Sequence, residues 1–310
     1  MTARPMNPQQ DRAPESMTWR MGRRFLRHRM AVASLCLIAV FAVLSFGAPL
    51  IETALGVDAG KTNLFGRFAP PSLAHPLGTD ELGRDLLVRL LYGGRVSLIV
   101  GLAAAAVAAI AGAIIGLLAG YYGGWPDSLL MRITDGVIAL PLLPLLIVLA
   151  AVDLNKLGLP AAMTDSENVS LYRIVLIISL VGWTTVARLV RAETLTLKRR
   201  EFIRAAVAQG AGAGRIMRVH ILPNAISPII VATTLSIGNI ILFESVLSFL
   251  GLGIQPPVAS WGNMLTNAQE LIWSAPGLAV WPGLLIFATV IAFNFLGDGL
   301  QDALDPRAVD

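Results

Sequence analysis

Few side chains in this sequence are equipped for chemistry, and their spacing argues against a reaction centre of its own. A phosphate-cradling loop reads GxxxxGK[ST], because backbone N–H groups wrap the phosphates and the lysine reaches them. The nearest approach is Gly56-Val-Asp-Ala-Gly60-Lys61-Thr62, one residue short between the glycines. The single cysteine, Cys36, sits in an apolar run, so no intrachain disulfide exists and a buried packing role is expected. His28, His75 and His220 are scattered along the chain without metal-ligand spacing. Asp298, Asp302 and Asp305 follow the last apolar run with no histidine nearby; they are expected to cap a helix end or pair with arginines.

Two other acidic features stand apart. Asp80, Glu81, Arg84 and Asp85 have the spacing of a short interfacial helix, on which Asp80 and Arg84 pair at i, i+4. That helix is either a lid stapled to its own neighbours or a contact surface for another protein. Glu244 ends a long uncharged run, where an acid is costly unless paired or facing water. It either attracts a ligand's ammonium or accepts hydrogen bonds from Ser or Asn neighbours.

The elements that must position these groups are membrane spans. Of 310 residues, 55% are hydrophobic and only 14% charged, against about 25% charged in soluble domains. Mean hydropathy is +0.69. About 20 apolar residues cross a bilayer, and six stretches qualify or nearly do: Met30–Ile51, Val96–Pro126, Gly136–Val152, Ile174–Ala187, Ile221–Phe243 and Leu271–Gly297. The first follows five arginines, but its apolar run is too long for a signal peptide and reads as a retained span. The reading divides the chain into a tail (1–29), a first span (30–51), a polar loop with a short amphipathic helix (52–95), a five-span core (96–300) and a second tail (301–310). Residues 1–19, polar and Pro-rich, read as a disordered tail.

Charge sets the orientation. Of 24 Lys and Arg, seven precede residue 30 and eight lie between Arg188 and Arg218. Both blocks abut apolar spans, so the positive-inside rule places both termini and the 188–223 segment in the cytoplasm. The same placement excludes nucleic-acid binding as the reason for the basic balance. Within the spans, Gly112, Gly116, Gly120 and Gly124 recur every four residues, so this face should meet a helix of the same subunit or of a partner. Pro141 and Pro144 bend the third span, as a functional kink or a neutral one. Arg132 and Asp135 have the spacing of an on-helix pair. Because span interiors hold almost no ionisable groups, ion-coupled transport is disfavoured. Energy should come from a separate protein.

The long basic segment is where such a protein would act. RLVRAETLTLKRREFIRAAVAQGAGAGRIMRVHILP first continues the fourth span as an amphipathic helix, then breaks at Gly210, Gly212 and Gly214. It restarts over Arg215–Leu222, and Pro223 opens the next span. The expected form is a two-helix elbow outside the membrane, with Ala205 and Ala206 as a small flat face. Arg199, Arg200, Arg204, Arg215 and Arg218 ring it.

Arg204-Ala205-Ala206, Gly210 and His220-Ile221-Leu222-Pro223 in this order resemble the "EAA" loop of ABC importer permeases. Arg204 and His220 depart from the general pattern in the manner of the peptide-importer branch. His75–Leu98, Phe243–Trp261 and Asn294–Arg307 resemble the second permease of dipeptide, oligopeptide and nickel importers. The resemblance covers about residues 20–307. It implies an all-α type I importer permease fold with six transmembrane helices in the bacterial inner membrane. The implied coupling residues are Glu201, Arg204, Ala205, Ala206, Gly210, Arg215, Leu222 and Pro223, within a coupling loop over 193–223. The implied partners are a homologous permease forming a heterodimer, two ATPases that hold ATP and Mg, an extracytoplasmic binding protein and membrane lipid, with no nucleic acid. The chain itself would carry no cofactor and no catalytic site. Gly66–Gly94 and Leu250–Pro276 would meet the binding protein, with Asp80, Arg84, Asp85 and Glu244 as pathway or contact residues. The cargo is a di- or oligopeptide, with a nickel chelate or other small solute as the alternative; a stand-alone carrier or channel is the rival from another class.

Overall fold

The computed structural model describes residues 17–152 and 169–304. Residues 1–16 of the expected tail, together with Lys156, Asp305 and Arg307, lie outside the described residues. Those described form helices and connecting turns. Met17–Arg27 is α1, Arg29–Phe46 α2, Ala48–Leu55 α3 and Leu86–Tyr122 α4. Gly124–Ala139 is α5, Leu142–Ala150 α6, Val169–Leu197 α7 and Glu201–Ala208 α8. Leu222–Phe249 is α9 and Gly277–Leu304 α10. Five of these helices are long and apolar enough to cross a membrane, with the last turns before α9 continuing that span. The bent pair α5 and α6 makes up to a sixth span.

Several expected boundaries move, each for a local reason. Residues 1–29 are not all tail, since α1 occupies Met17–Arg27. The first span stops at Phe46 rather than Ile51. Gly47 interrupts it, and Pro49 suits the first turn of a new helix, α3. The helix that holds the second span begins at Leu86, ahead of Val96, and ends at Tyr122, where Gly123 takes φ +66°. Gly124 therefore opens α5 instead of continuing the glycine stripe. The third span is broken: α5 and α6 meet at 89° around Leu140 and Pro141. Pro144, by contrast, falls in the first turn of α6, where a missing N–H costs no helical bond. The sixth span starts at Gly277 and runs unbroken through Gly297-Asp298-Gly299 to Leu304. Cys36 is exposed, not buried.

Helix packing rests on backbone approach. In lipid there is little hydrophobic drive between helices, so association depends on close van der Waals contact. A Cβ on Gly112 or Gly116 would lie 2.5 Å from the carbonyl oxygens of Trp183 and Ala187, and one on Gly120 would lie 2.6 Å from Thr194 Cβ. These matched offsets run α4 and α7 side by side and parallel, with the bent pair between them in sequence. The glycine stripe thus meets a helix of its own subunit. Nearer the start of α4, Gly101 leaves room for Ile241 of α9. Gly238 of α9 sits under the Val290 backbone of α10, and Gly297 of α10 receives Leu235. Gly299 lies against Ala31 of α2. Helix α2 packs on α10 and α4, α10 on α9, and α9 on both α4 and α7.

Ion pairs fasten α5 to α7. Arg191 donates to both carboxylate oxygens of Asp127, at 2.5 and 2.7 Å. Arg188 pairs with Asp135 at 2.5 Å. The expected Arg132–Asp135 pair does not form, because Asp135 turns to the neighbouring helix instead.

Gly116→Val would drive two methyls into the Ala187 carbonyl and the Val190 side chain. We expect it to cost about 1–3 kcal/mol, read as a lower unfolding midpoint of the purified chain in detergent. Gly136→Val, where a Cβ meets nothing within 4 Å, should leave the midpoint within about 0.5 kcal/mol-equivalent of the parent.

Candidate functional site

The elbow follows directly from α7. That helix outlasts its apolar stretch because Val190 and Thr194 are buried where Gly116 and Gly120 approach. Lys198 donates to the Tyr121 carbonyl at the end of α4, pinning the two helix ends together. The chain then turns into α8 with Glu201 in its first turn, where a carboxylate suits the positive helix end. Gly210 closes α8. Its N–H donates to Val207 O at 2.9 Å, and the Ala211 N–H donates to Ala206 O at 3.0 Å. This paired closure needs a left-handed residue, and Gly210 adopts φ +81°. Nothing lies within 4 Å of the space a Cβ would take there. Glycine is required for conformation, not for room.

From Gly212 a short helical turn, Ala213–Arg215, widens into a π-type turn, Ile216–Ile221, that runs straight into α9. Pro223 lies in the first turn of α9. Ile203, Ile216 and Ile221 are buried with Leu117, Val186 and Val190. These anchors fix the elbow onto the α4–α7 pair. The opposite surface is open. Phe202 and Val207 are 46% and 53% exposed. Phe202, Ala205, Ala206, Gln209, Gly210 and Arg215 border a depression of about 400 Å³. Arg215 lies on its border, and Arg199, Arg200, Arg204 and Arg218 are also exposed on the elbow. A hollow of mixed polar and apolar lining with Arg215 on its border, on an elbow that carries further exposed arginines, suits a protein surface carrying acidic groups.

Of the coupling residues expected from sequence, Glu201, Arg204, Ala205, Ala206, Gly210 and Arg215 come together on the elbow. Leu222 is half-buried against the isoleucine anchors, and Pro223 serves the helix start. Phe202 was not foreseen; an exposed aromatic between Arg200 and Arg204 was its only signal. The expected pairing of Asp298 and Asp302 with elbow arginines is absent among the described residues. Asp302 instead lies 3.7 Å from His28.

At the other end of the bundle, Glu244 is fully buried. Ser248 donates to it at 2.7 Å and Ser97 at 3.1 Å. Ser97 also accepts the Trp261 N–H at 3.2 Å, and Ser248 accepts the Ile254 N–H at 3.0 Å. Trp261 is sunk beside Gly93 and Gly94, its indole N–H on Leu90 O at 2.9 Å. Glu244 thereby ties α9, α4 and the 250–263 segment into one polar hub. Of the two readings of Glu244, the hydrogen bonds to serines are the ones the structure displays.

Asp80, Arg84 and Asp85 do not form the expected interfacial helix. Residues 79–85 make a tight turn, with Gly83 at φ +72° against the Asn63 backbone. Asp80 accepts the N–H groups of Leu82 and Arg84, each at 2.9 Å, while Arg84 Nε donates to it at 2.7 Å. Asp85 caps α4 through Val88 N at 2.8 Å and meets His75 Nδ1 at 2.9 Å. The i, i+4 pair forms, but across a turn. Both carboxylates are buried and engaged within the chain. Among the described residues, no three His, Cys, Asp or Glu gather as for a metal ion.

Residues 112–310 match the family described as the binding-protein-dependent transport system inner membrane component. The chain belongs to this family. Residues 16–71 match the N-terminal TM domain of oligopeptide transport permease C. A dipeptide transport system permease protein of Alkalihalophilus pseudofirmus is 40% identical over 99% of this chain and 96% of its own length. An oligopeptide transport system permease protein of Escherichia coli is 41% identical over 92% and 89%. A glutathione transport system permease protein of Pectobacterium atrosepticum is 40% identical over 93% and 91%. This permease is therefore a multi-pass inner-membrane protein, and its elbow falls inside the family match.

Glu244→Ala would strand the Ser97 and Ser248 hydroxyls and leave a void. We expect a loss of about 2–4 kcal/mol, seen as a lower unfolding midpoint and faster proteolysis of the 250–263 segment. Glu244→Gln, which keeps one carbonyl acceptor, should recover most of it.

Proposed function

We propose that this permease subunit imports di- or oligopeptides in an ATP-driven complex, and that its elbow is the surface through which ATP hydrolysis elsewhere moves its spans. The observation that carries the reading is the elbow itself: an open hollow with exposed Phe202, bolted by three isoleucines to the α4–α7 pair. The chain supplies a pathway and a mechanical coupling, and no catalytic centre. ATP and Mg belong to two partner ATPase subunits, which seat at the elbow. That seat places the α8 end, with both termini, in the cytoplasm. A homologous second permease completes the pathway as a heterodimer in lipid, and an extracytoplasmic binding protein delivers cargo at the α3 end.

The peptide assignment draws on the relatives' names. A glutathione-transport relative at similar identity favours small peptides and peptide-like solutes as the cargo class. Glu244 and Asp80, buried and satisfied within the chain, hold the extracytoplasmic end in shape, and selectivity rests with the binding protein.

Gly210→Trp should abolish uptake of labelled peptide while the chain still inserts and reaches normal levels. The φ +81° closure of α8 resists any L side chain by about 1–2 kcal/mol, and the indole would block the hollow. Normal uptake by that variant would reduce the elbow to a topology signal. Phe202→Ala should weaken co-purification of the ATPase by at least tenfold, in the range of a buried aromatic anchor at about 2 kcal/mol. Glu244→Gln at normal protein level should keep uptake within about twofold, since about 0.4 kcal/mol separates such rates.

A further inference from the structure

The chain before the first span is not a featureless basic tail. At 100° per residue, Arg23, Arg24 and Arg27 of α1 fall in one sector of roughly 100°. Met21 and Phe25 fall on the opposite side, where they are half-buried. Between these strips Trp19 and Leu26 stand 51% and 70% exposed. The Arg23 guanidinium lies 5.3 Å from the centre of the Trp19 ring, so the aromatic and the cation occupy adjoining faces. Arg23, Arg27 and Arg29 are exposed. From Trp19 to Ile51 the sequence contains no acid. Among the described residues, Arg27 and Arg29 make no ion pair; the neighbouring acid, Asp302, approaches His28 instead.

Position supplies the second argument. His28 leaves helical geometry at φ −81°, ψ 89° while its Nδ1 accepts the Ala31 N–H at 3.1 Å, capping α2. The break thus falls where a polar helix hands over to an uncharged span. Helix α1 rests against α10, whose last turns carry Gly299 and Asp302 beside Ala31 and His28. It is held at the depth where α2 begins, which is where hydrocarbon gives way to headgroups. Tryptophan and leucine beside an arginine strip are the composition of a helix lying in that layer, and arginines there attract anionic lipid.

We propose that α1 is an anionic-phospholipid-binding element lying in the headgroup layer at the α8 end of the bundle, with Arg23, Arg27 and Arg29 on lipid phosphates and Trp19 and Leu26 at the acyl boundary. The occupant is the lipid surface rather than a protein. Exposed Arg23, Arg27 and Arg29, flanked by exposed apolar side chains and continuous with a membrane span, match a negatively charged interface.

The full-length chain carrying Cys36→Ser and Gly22→Cys tests this. Position 22 is exposed, and a Cβ there meets nothing within 4 Å. The cysteine is labelled with an environment-sensitive fluorophore. The chain is then reconstituted in nanodiscs of phosphatidylcholine alone or with rising phosphatidylglycerol. Phosphatidylglycerol should shift the emission to the blue and protect the label from an aqueous quencher, and added salt should reverse both. Arg23→Glu, Arg27→Glu and Arg29→Glu together should abolish the dependence, lowering phosphatidylglycerol retained through purification by roughly fivefold per arginine. Trp19→Ser with Leu26→Ser should keep the salt-sensitive retention and lose the blue shift. Identical emission in both lipid compositions for the parent and the charge-reversed chain would overturn the proposal. So would protection that arises only when the other subunits of the transport complex are added, which would make α1 a protein contact.

Discussion

Three glycines of α4 let its backbone come within van der Waals reach of the α7 carbonyls, and much of the molecule is arranged around that approach. In a bilayer, two helices gain little by hiding apolar side chains from each other, because lipid tails are equally apolar. What remains is dispersion, which falls steeply with separation. A side chain at Gly112, Gly116 or Gly120 would push α7 away, and with it the elbow, the Arg191–Asp127 fork and the isoleucine anchors. The rest of the bundle repeats the device at Gly101, Gly238, Gly297 and Gly299. Gly101 serves the α4–α9 pair, Gly238 and Gly297 the α9–α10 pair, and Gly299 the α10–α2 pair.

The polar hub uses the opposite strategy. Glu244 has no cationic partner among the described residues; its oxygens are satisfied by serine hydroxyls. A buried acid is tolerated when hydrogen bonds replace water. The same serines pass their remaining capacity to the Ile254 and Trp261 backbone. One side chain thereby organises a connecting segment that has no regular structure of its own.

Spans and elbow were legible in the sequence because their signals are local. Apolar length marks a span wherever it lies, and Gly210 between two amphipathic runs marks a bend. Direction was not legible. Hydropathy continues smoothly across Gly47, where the chain nevertheless interrupts, and Pro141 announced a bend without its 89° angle. The Asp80–Arg84 spacing fits a helix turn and a tight loop equally well; the choice was made by Asn63, far upstream, whose backbone crowds Gly83. Likewise Glu244 announced only that it needed partners. Ser97, 147 residues earlier, is supplied by the fold, and so is the meeting of Ile203 with Ile216 and Ile221.

The join between the elbow and α9 has a mechanical consequence. The π-type turn at Ile216–Ile221 passes into α9 without an intervening loop, and α9 reaches the Glu244 hub before it ends. At about 1.5 Å per residue, its 28 residues span roughly 42 Å. Pro228, in its second turn, removes one helical hydrogen bond; from there to Glu244 the ladder is continuous and has little slack along its axis. A displacement entering that stretch would be taken up by a bend at Pro228 or by the serine contacts around Glu244 and the segment they hold.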